Sequence, residues 1–182
     1  MSLRSAADFD ALAAEARRAR AGRREIRVCC GTGCLAGGAA EIAAAFGEAL
    51  REAGLPGTVR RAVKTTGCHG FCDRGPLVQI EPEGLLYTRV RPRDVPEICR
   101  ALREGGGALA RLLYAESPGG ERIPAARDIP FYARQTRVAL GRLGQVDPRD
   151  LADAVAHGAY AGVRRALFAL TAEAVLAEVE RA

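Results

Sequence analysis

At 182 residues, 48% apolar and 27% charged, the chain has the make-up of a globular domain, which excludes a disordered tail. No apolar run nears the roughly 20 residues that span a bilayer, and MSLRSAADFD lacks the apolar stretch of a secretory signal. The expectation is a soluble, cytoplasmic protein without direct membrane insertion. The formal charge of +5 is carried almost wholly by arginine, Lys64 being the only lysine, but those arginines alternate with Asp and Glu and only 5% of residues are aromatic. A basic stripe and a base-stacking platform are both missing, which argues against a nucleic-acid partner.

In chain order, Ser5 to Arg20 reads as a helix, with Phe9, Leu12, Ala13 and Ala16 at helical spacing. Glu25 to Cys29 (EIRVC) alternates like a strand, and Ala39 to Ala53 returns to helix, closed by Gly54 and Pro56. Thr58 to Lys64 (TVRRAVK) reads as a second strand whose paired arginines suit a sheet edge better than its centre. LVQIEP and LLYTRV flank Glu83-Gly84 as a hairpin, and Asp94 to Glu104 carries Val95, Ile98 and Leu102 at helical spacing. Gly105 to Gly107, Pro118 to Gly120 and Pro124 mark a linker interrupted by one apolar turn. Beyond Phe131 the pattern is helical: Gln135 to Leu143 is expected as a helix, Asp147-Pro148 as the start of another with Asp147 as its cap, and Thr171 with Glu173 as the opening of a last one.

Chemistry concentrates in two glycine-containing loops. VCCGTGCLAGG holds Cys29 and Cys34 as C-x4-C, and TTGCHGFCDRGP holds Cys68 and Cys72 as C-x3-C. Disulfides rarely persist in the cytoplasm, so clustered cysteines there point to metal or redox chemistry. Gly31-Thr32-Gly33-Cys34-Leu35-Ala36 also fits the dinucleotide pattern G-x-G-x-x-A between strand and helix, but the second strand ends at Lys64 rather than at the acidic residue that would hold a ribose. A thiol-disulfide enzyme would want C-x-x-C, which the chain lacks. Two readings of the four thiols stay open on spacing. They complete a 2Fe-2S site from two loops, or they belong to a docking module that holds one structural zinc or no metal. Spacing also leaves Cys30 open as a ligand beside Cys29. Cys99 falls at an apolar helix position and is expected to pack, and His69 is expected as a half-exposed loop residue.

VCCGTGC together with GCHGFCDRGPLV resembles the thioredoxin-like 2Fe-2S ferredoxin domain found at the N-terminus of flavin- and NADH-binding subunits of NAD-linked hydrogenases, formate dehydrogenases and complex I relatives. The likeness spans Ile26 to Glu104. A second stretch, IPFYARQTRVALGRLGQVDPRDLADAVAHGAYAGVRRAL (Ile129 to Leu167), is similar to the opening of the flavin-binding domain of the same subunits. The resemblance implies an α/β fold: an N-terminal helix over 1–24, a thioredoxin-like 2Fe-2S ferredoxin domain over 25–104, a linker over 105–128 and an all-helical segment over 129–182. It implies Cys29, Cys34, Cys68 and Cys72 as the metal ligands, the family's four-residue gap selecting Cys29 over Cys30. Gly31, Gly33 and Gly70 are expected to serve the cofactor through their backbone N–H groups. The function implied is one-electron transfer through a 2Fe-2S cluster, with other subunits or domains of an NAD-linked oxidoreductase complex as partners. Such subunits continue past the position of Arg181-Ala182 into sites for FMN, NAD and a 4Fe-4S cluster. The sequence therefore corresponds to their N-terminal part, which is not expected to oxidise NADH alone.

Overall fold

The computed structural model describes residues 3–52, 62–105 and 107–182. Its elements run α1 (Ala6–Arg18), β1 (Glu25–Cys29), α2 (Thr32–Ala36), α3 (Ala39–Glu52), β2 (Val63–Thr66), β3 (Val78–Glu81), β4 (Leu85–Tyr87), α4 (Val95–Glu104), α5 (Pro130–Ala133), α6 (Leu151–Ala156), α7 (Ala161–Phe168) and α8 (Ala172–Arg181). Contacts group the chain into two compact units, one of residues 22–147 and one of 1–21 with 148–182.

The larger unit is α/β. Its four strands lie in the order β2-β1-β3-β4. β1 and β2 run parallel, in register Cys29 with Thr66, and a parallel pair needs a long crossover, which contains α3. β3 pairs antiparallel with β1 and forms the expected hairpin with β4, Gly84 adopting a φ of +69° at the turn. β2 is at the edge, as its arginines suggested. Of the stretch expected for it, residues 58–61 lie outside the described residues. The core forms because Ala39, Ile42 and Phe46 put one apolar face of α3 inward, against Val28 of β1, Val78 and Ile80 of β3, and Val95 and Ile98 of α4, all buried. Removing each of the Val, Ile and Phe side chains from water is worth roughly 1.5–3 kcal/mol. Buried charge is matched on β1 and β2, where Glu25 accepts from Lys64 at 2.7 Å and from Arg27 at 2.9 Å. Cys99 is buried in α4, where its spacing placed it.

Residues after α4 depart from a free linker. Gly105, at φ +63°, closes α4 in the left-handed conformation. Leu112, Leu113 and Tyr114 are then buried, and single bridges join Tyr87 to Leu113 and Leu85 to Ala125, so this stretch covers the outer side of β4. The expected helix over Gln135 to Leu143 does not form either. Only turns follow Arg134; Gly141 and Gly144 (φ +85°) weaken a helix there, and Arg137 is drawn aside to bond a loop.

The smaller unit is helical. α1 begins with a capping box, Ser5 accepting from the N–H of Asp8 at 3.2 Å while the Asp8 carboxylate accepts from the N–H of Ser5 at 2.9 Å. α1 packs on α6 and α7. Asp153, fully buried, accepts from Arg20 at 2.8 Å, and Asp10 takes both prongs of Arg164 at 2.8 and 2.6 Å. The cap of α6 is Asp150, whose carboxylate accepts from the N–H of Asp153 at 3.1 Å, and not Asp147. The Asp147 carboxylate is engaged elsewhere, accepting from the Thr65 hydroxyl at 3.4 Å. Thr171 caps α8 as expected. Among the described residues no helix is long and apolar enough to cross a membrane.

Candidate metal centre

Both cysteine loops leave the same end of the parallel pair. β1 delivers Cys29 to the sheet's rim, where its N–H donates to Leu77 and that of Cys30 to Thr66, at 3.0 and 2.9 Å. Gly31 then starts α2, and this single turn carries Cys34 back inward until it is fully buried. From β2 the chain passes Gly67, Cys68, His69, Gly70 and Phe71 before Cys72 opens a short 3-10 turn. Cys68 is half-buried and Cys72 exposed.

The loops come together at the four expected thiols. Cys68 and Cys72 lie sulfur to sulfur at 3.6 Å, and the N–H of His69 donates to Cys29 Sγ at 3.5 Å, tying the second loop to the first. The approach is possible because glycines face the sulfurs. A Cβ on Gly31 would lie 2.7 Å from Cys68 Cβ and 3.0 Å from its Sγ, and one on Gly75 would lie 2.8 Å from Cys34 Sγ. At Gly33 the nearest atom, Cys72 Cβ, would be at an ordinary 3.5 Å. Sequence reasoning missed Gly75; its signal was its place before Pro76 in CDRGP, beside a cysteine loop.

Electrostatics follow from this crowding. The Cys34 thiol donates to Cys29, and with the N–H groups of His69 and Gly31 it holds Cys29 below the usual thiol range. Cys34 is pushed up by acting as that donor and by burial, against the N–H of Leu77, which favours its anion. Burial raises Cys68, opposed by the Gly70 N–H donating at 3.2 Å. Of the expected backbone donors, Gly31 and Gly70 thus face sulfur; His69 and Leu77 add two that side-chain patterns do not reveal. His69 is buried rather than half-exposed, its Nε2 2.8 Å from Thr66 Oγ1, and burial, then Arg137 and Arg27, lowers its pKa to about 4. Because the Thr66 hydroxyl donates to the Val28 carbonyl at 3.3 Å, the neutral ring gives its Nε2 proton to Thr66.

Among the described residues no three His, Cys, Asp or Glu side chains close around one point as a single ion requires. The thiols form two touching pairs instead, joined by Cys29 and the second loop. Four soft sulfur donors from two loops, a glycine clearance between them and N–H groups aimed at the sulfurs fit a 2Fe-2S cluster, which is held by four thiolates and tuned by hydrogen bonds to them.

Comparison with known proteins points the same way. Residues 14–103 match the family model of the thioredoxin-like [2Fe-2S] ferredoxins. The chain is 38% identical over 79 residues to a 2Fe-2S ferredoxin of Clostridium pasteurianum, covering 43% of this chain and 76% of that one. It is 34% identical over 84 residues to a 2Fe-2S ferredoxin of Aquifex aeolicus, covering 46% and 74%. The solved thioredoxin-like [2Fe-2S] ferredoxin of Aquifex aeolicus aligns with 54% of this chain and 96% of its own, at 28% identity and a TM-score of 0.44.

Proposed function

Since the chain belongs to the thioredoxin-like 2Fe-2S ferredoxin family and is an electron-transfer protein carrying a 2Fe-2S cluster, we propose that Cys29, Cys34, Cys68 and Cys72 are the ligands and that the electron is exchanged within an NAD-linked flavoprotein assembly. The cluster supplies one-electron redox chemistry when bound. The residues around it do three things. They offer four sulfurs in two loops, they aim the N–H groups of Gly31, His69, Gly70 and Leu77 at those sulfurs, and they keep Cys29 and Cys34 out of water. N–H groups stabilise sulfur the more negative it becomes, so they favour the reduced state.

One observation carries the ligand set: the N–H of His69, in the second loop, donates to a sulfur of the first, and that sulfur belongs to Cys29. Cys30 follows the last residue of β1, and its N–H donates to the Thr66 carbonyl at 2.9 Å. The NAD-linked setting is supported by the likeness of Ile129 to Leu167 to the opening of a flavin-binding domain. It is supported too by Leu167, Leu176 and Val179, which are 70%, 65% and 70% exposed on α7 and α8 and suit a covering subunit.

Anaerobic reconstitution with iron and sulfide tests the ligands. The expected product is brown, holds about two irons and gives a rhombic EPR signal after dithionite. Serine at Cys29, Cys34, Cys68 or Cys72 should abolish or change that signal, while Cys30→Ser and Cys99→Ser leave it intact; a colourless protein with one tightly held zinc would overturn the assignment. The setting is read from the midpoint potential. A value near the roughly −400 mV of plant-type ferredoxins suits exchange with a nicotinamide-linked flavin, and one above about −150 mV, as in Rieske centres, rules that setting out.

A further inference from the structure

We infer that Arg137, well beyond the matched family region, is a positioning and tuning residue for the cluster that acts through a single peptide unit on Cys68. The inference rests on the reading of Cys68 as a ligand. The Arg137 guanidinium donates to the carbonyl of His69. The other end of that same peptide, the N–H of Gly70, donates to Cys68 Sγ at 3.2 Å. A cation on the carbonyl polarises the amide, making its N–H a stronger donor, because hydrogen bonds in a chain polarise one another.

The surroundings are shaped for this contact. Gly70 adopts φ +85°, and a Cβ there would lie 2.9 Å from an Arg137 Nη atom, so the glycine both turns the peptide and admits the guanidinium. Arg137 is itself held in place. Its Nε donates to the Gln135 side chain at 3.2 Å, and its guanidinium lies over the Tyr132 ring, 5.3 Å from the centroid. Tyr132 in turn meets Phe71 of the cysteine loop edge-on at 5.6 Å. No carboxylate pairs with Arg137 among the described residues, so its charge is left to act on the His69 carbonyl. The turns that follow press on the same loop: a Cβ on Gly144 would lie 3.0 Å from the His69 ring, and one on Gly67 would lie 2.7 Å from Leu143. These contacts also account for the helix that residues 135–143 fail to form.

Stronger donation to Cys68 stabilises the more negative state, so Arg137 raises the midpoint potential. The test is an EPR-monitored potentiometric titration of the reconstituted full chain, wild type against Arg137→Gln, Arg137→Lys and Arg142→Gln. Arg142 is exposed and its side chain makes no hydrogen bond among the described residues, so its loss removes the same charge without the contact. At the wild-type midpoint, Arg137→Gln should cut the reduced-to-oxidised ratio by about tenfold, equivalent to ~59 mV for one electron, with Arg137→Lys shifting less in the same direction and Arg142→Gln not at all. Equal shifts in Arg137→Gln and Arg142→Gln, or none in either, would overturn the inference. If Arg137→Gln fails to take up iron, Arg137→Lys against Arg142→Lys decides: a shift confined to the former supports the inference and its absence defeats it. Cys68→Ser separates the two readings, since an unchanged EPR signal in that variant refutes the ligand assignment whatever Arg137 does.

Discussion

The first cysteine loop is built into the sheet, and the second is laid over it. Cys29 and Cys34 are 1% and 0% exposed, their backbone continuing the ladder of β1 and the turn of α2, whereas Cys68 is half-buried and Cys72 exposed. The second loop owes its place to contacts it borrows: Phe71 stacked on Phe131 at 4.4 Å, the His69 ring under Gly144, and Arg137 on a carbonyl. One pair of sulfurs is therefore fixed by the core that folds the domain. The other is fixed by residues distant in sequence, which can be altered without unfolding the sheet.

The largest contrast to be tested lies in the sulfurs. Cys34→Ser should lose nearly all iron and also destabilise the iron-free chain by roughly 1–3 kcal/mol, since a hydroxyl replaces sulfur in a dry site. Cys72→Ser should leave iron-free stability within about 0.5 kcal/mol, because position 72 is solvated. Iron content and denaturant midpoints read both; equal destabilisation would erase the distinction between the loops. Next in size is the clearance between them. Gly31→Ala forces a Cβ to 2.7 Å from Cys68 and should cost about 1–3 kcal/mol together with most of the iron, whereas Gly33→Ala, at 3.5 Å, should fold and load normally. Thermal melts of the pair sharpen the claim that the loops touch at Gly31. Smallest is Phe131→Ala, which removes one ring of the stack and should cost about 1–2 kcal/mol. Hydrogen exchange should then rise across residues 67–71 and stay unchanged in β1; faster exchange in both would mean that the second loop is no more separable than the first.

Much of this was legible beforehand, for physical reasons that differ by element. β1 shows its alternation, α3 its apolar face and the β3–β4 hairpin its glycine, because each depends on residues adjacent in sequence. Cysteine spacing marked the two loops, but it left Cys30 open beside Cys29, and the choice between them came from the family resemblance. The stretch after Gly105 was misleading since glycines and prolines read alike in a free linker and in a strand-hugging path, and only the exposed side of β4 decides between them. Gln135 to Leu143 misled by carrying helical spacing without the burial to use it: Val138 is 90% exposed and Leu140 59%. The hydrogen bonds of His69 and Leu77 to sulfur were unreadable because they are made by backbone, which leaves no mark in side-chain pattern.

That last feature bears on how this site withstands mutation. A peptide N–H is offered by every residue except proline, so drift at Thr32, Leu35 or Asp73, all exposed, leaves the donors where they are. What cannot drift is emptiness, the missing Cβ at Gly31 and Gly75 and the left-handed turn at Gly70, beside the four sulfurs themselves. Most of the loops' residues are free to record lineage, and the chemistry is inherited through a few positions defined as much by atoms they lack as by atoms they bear.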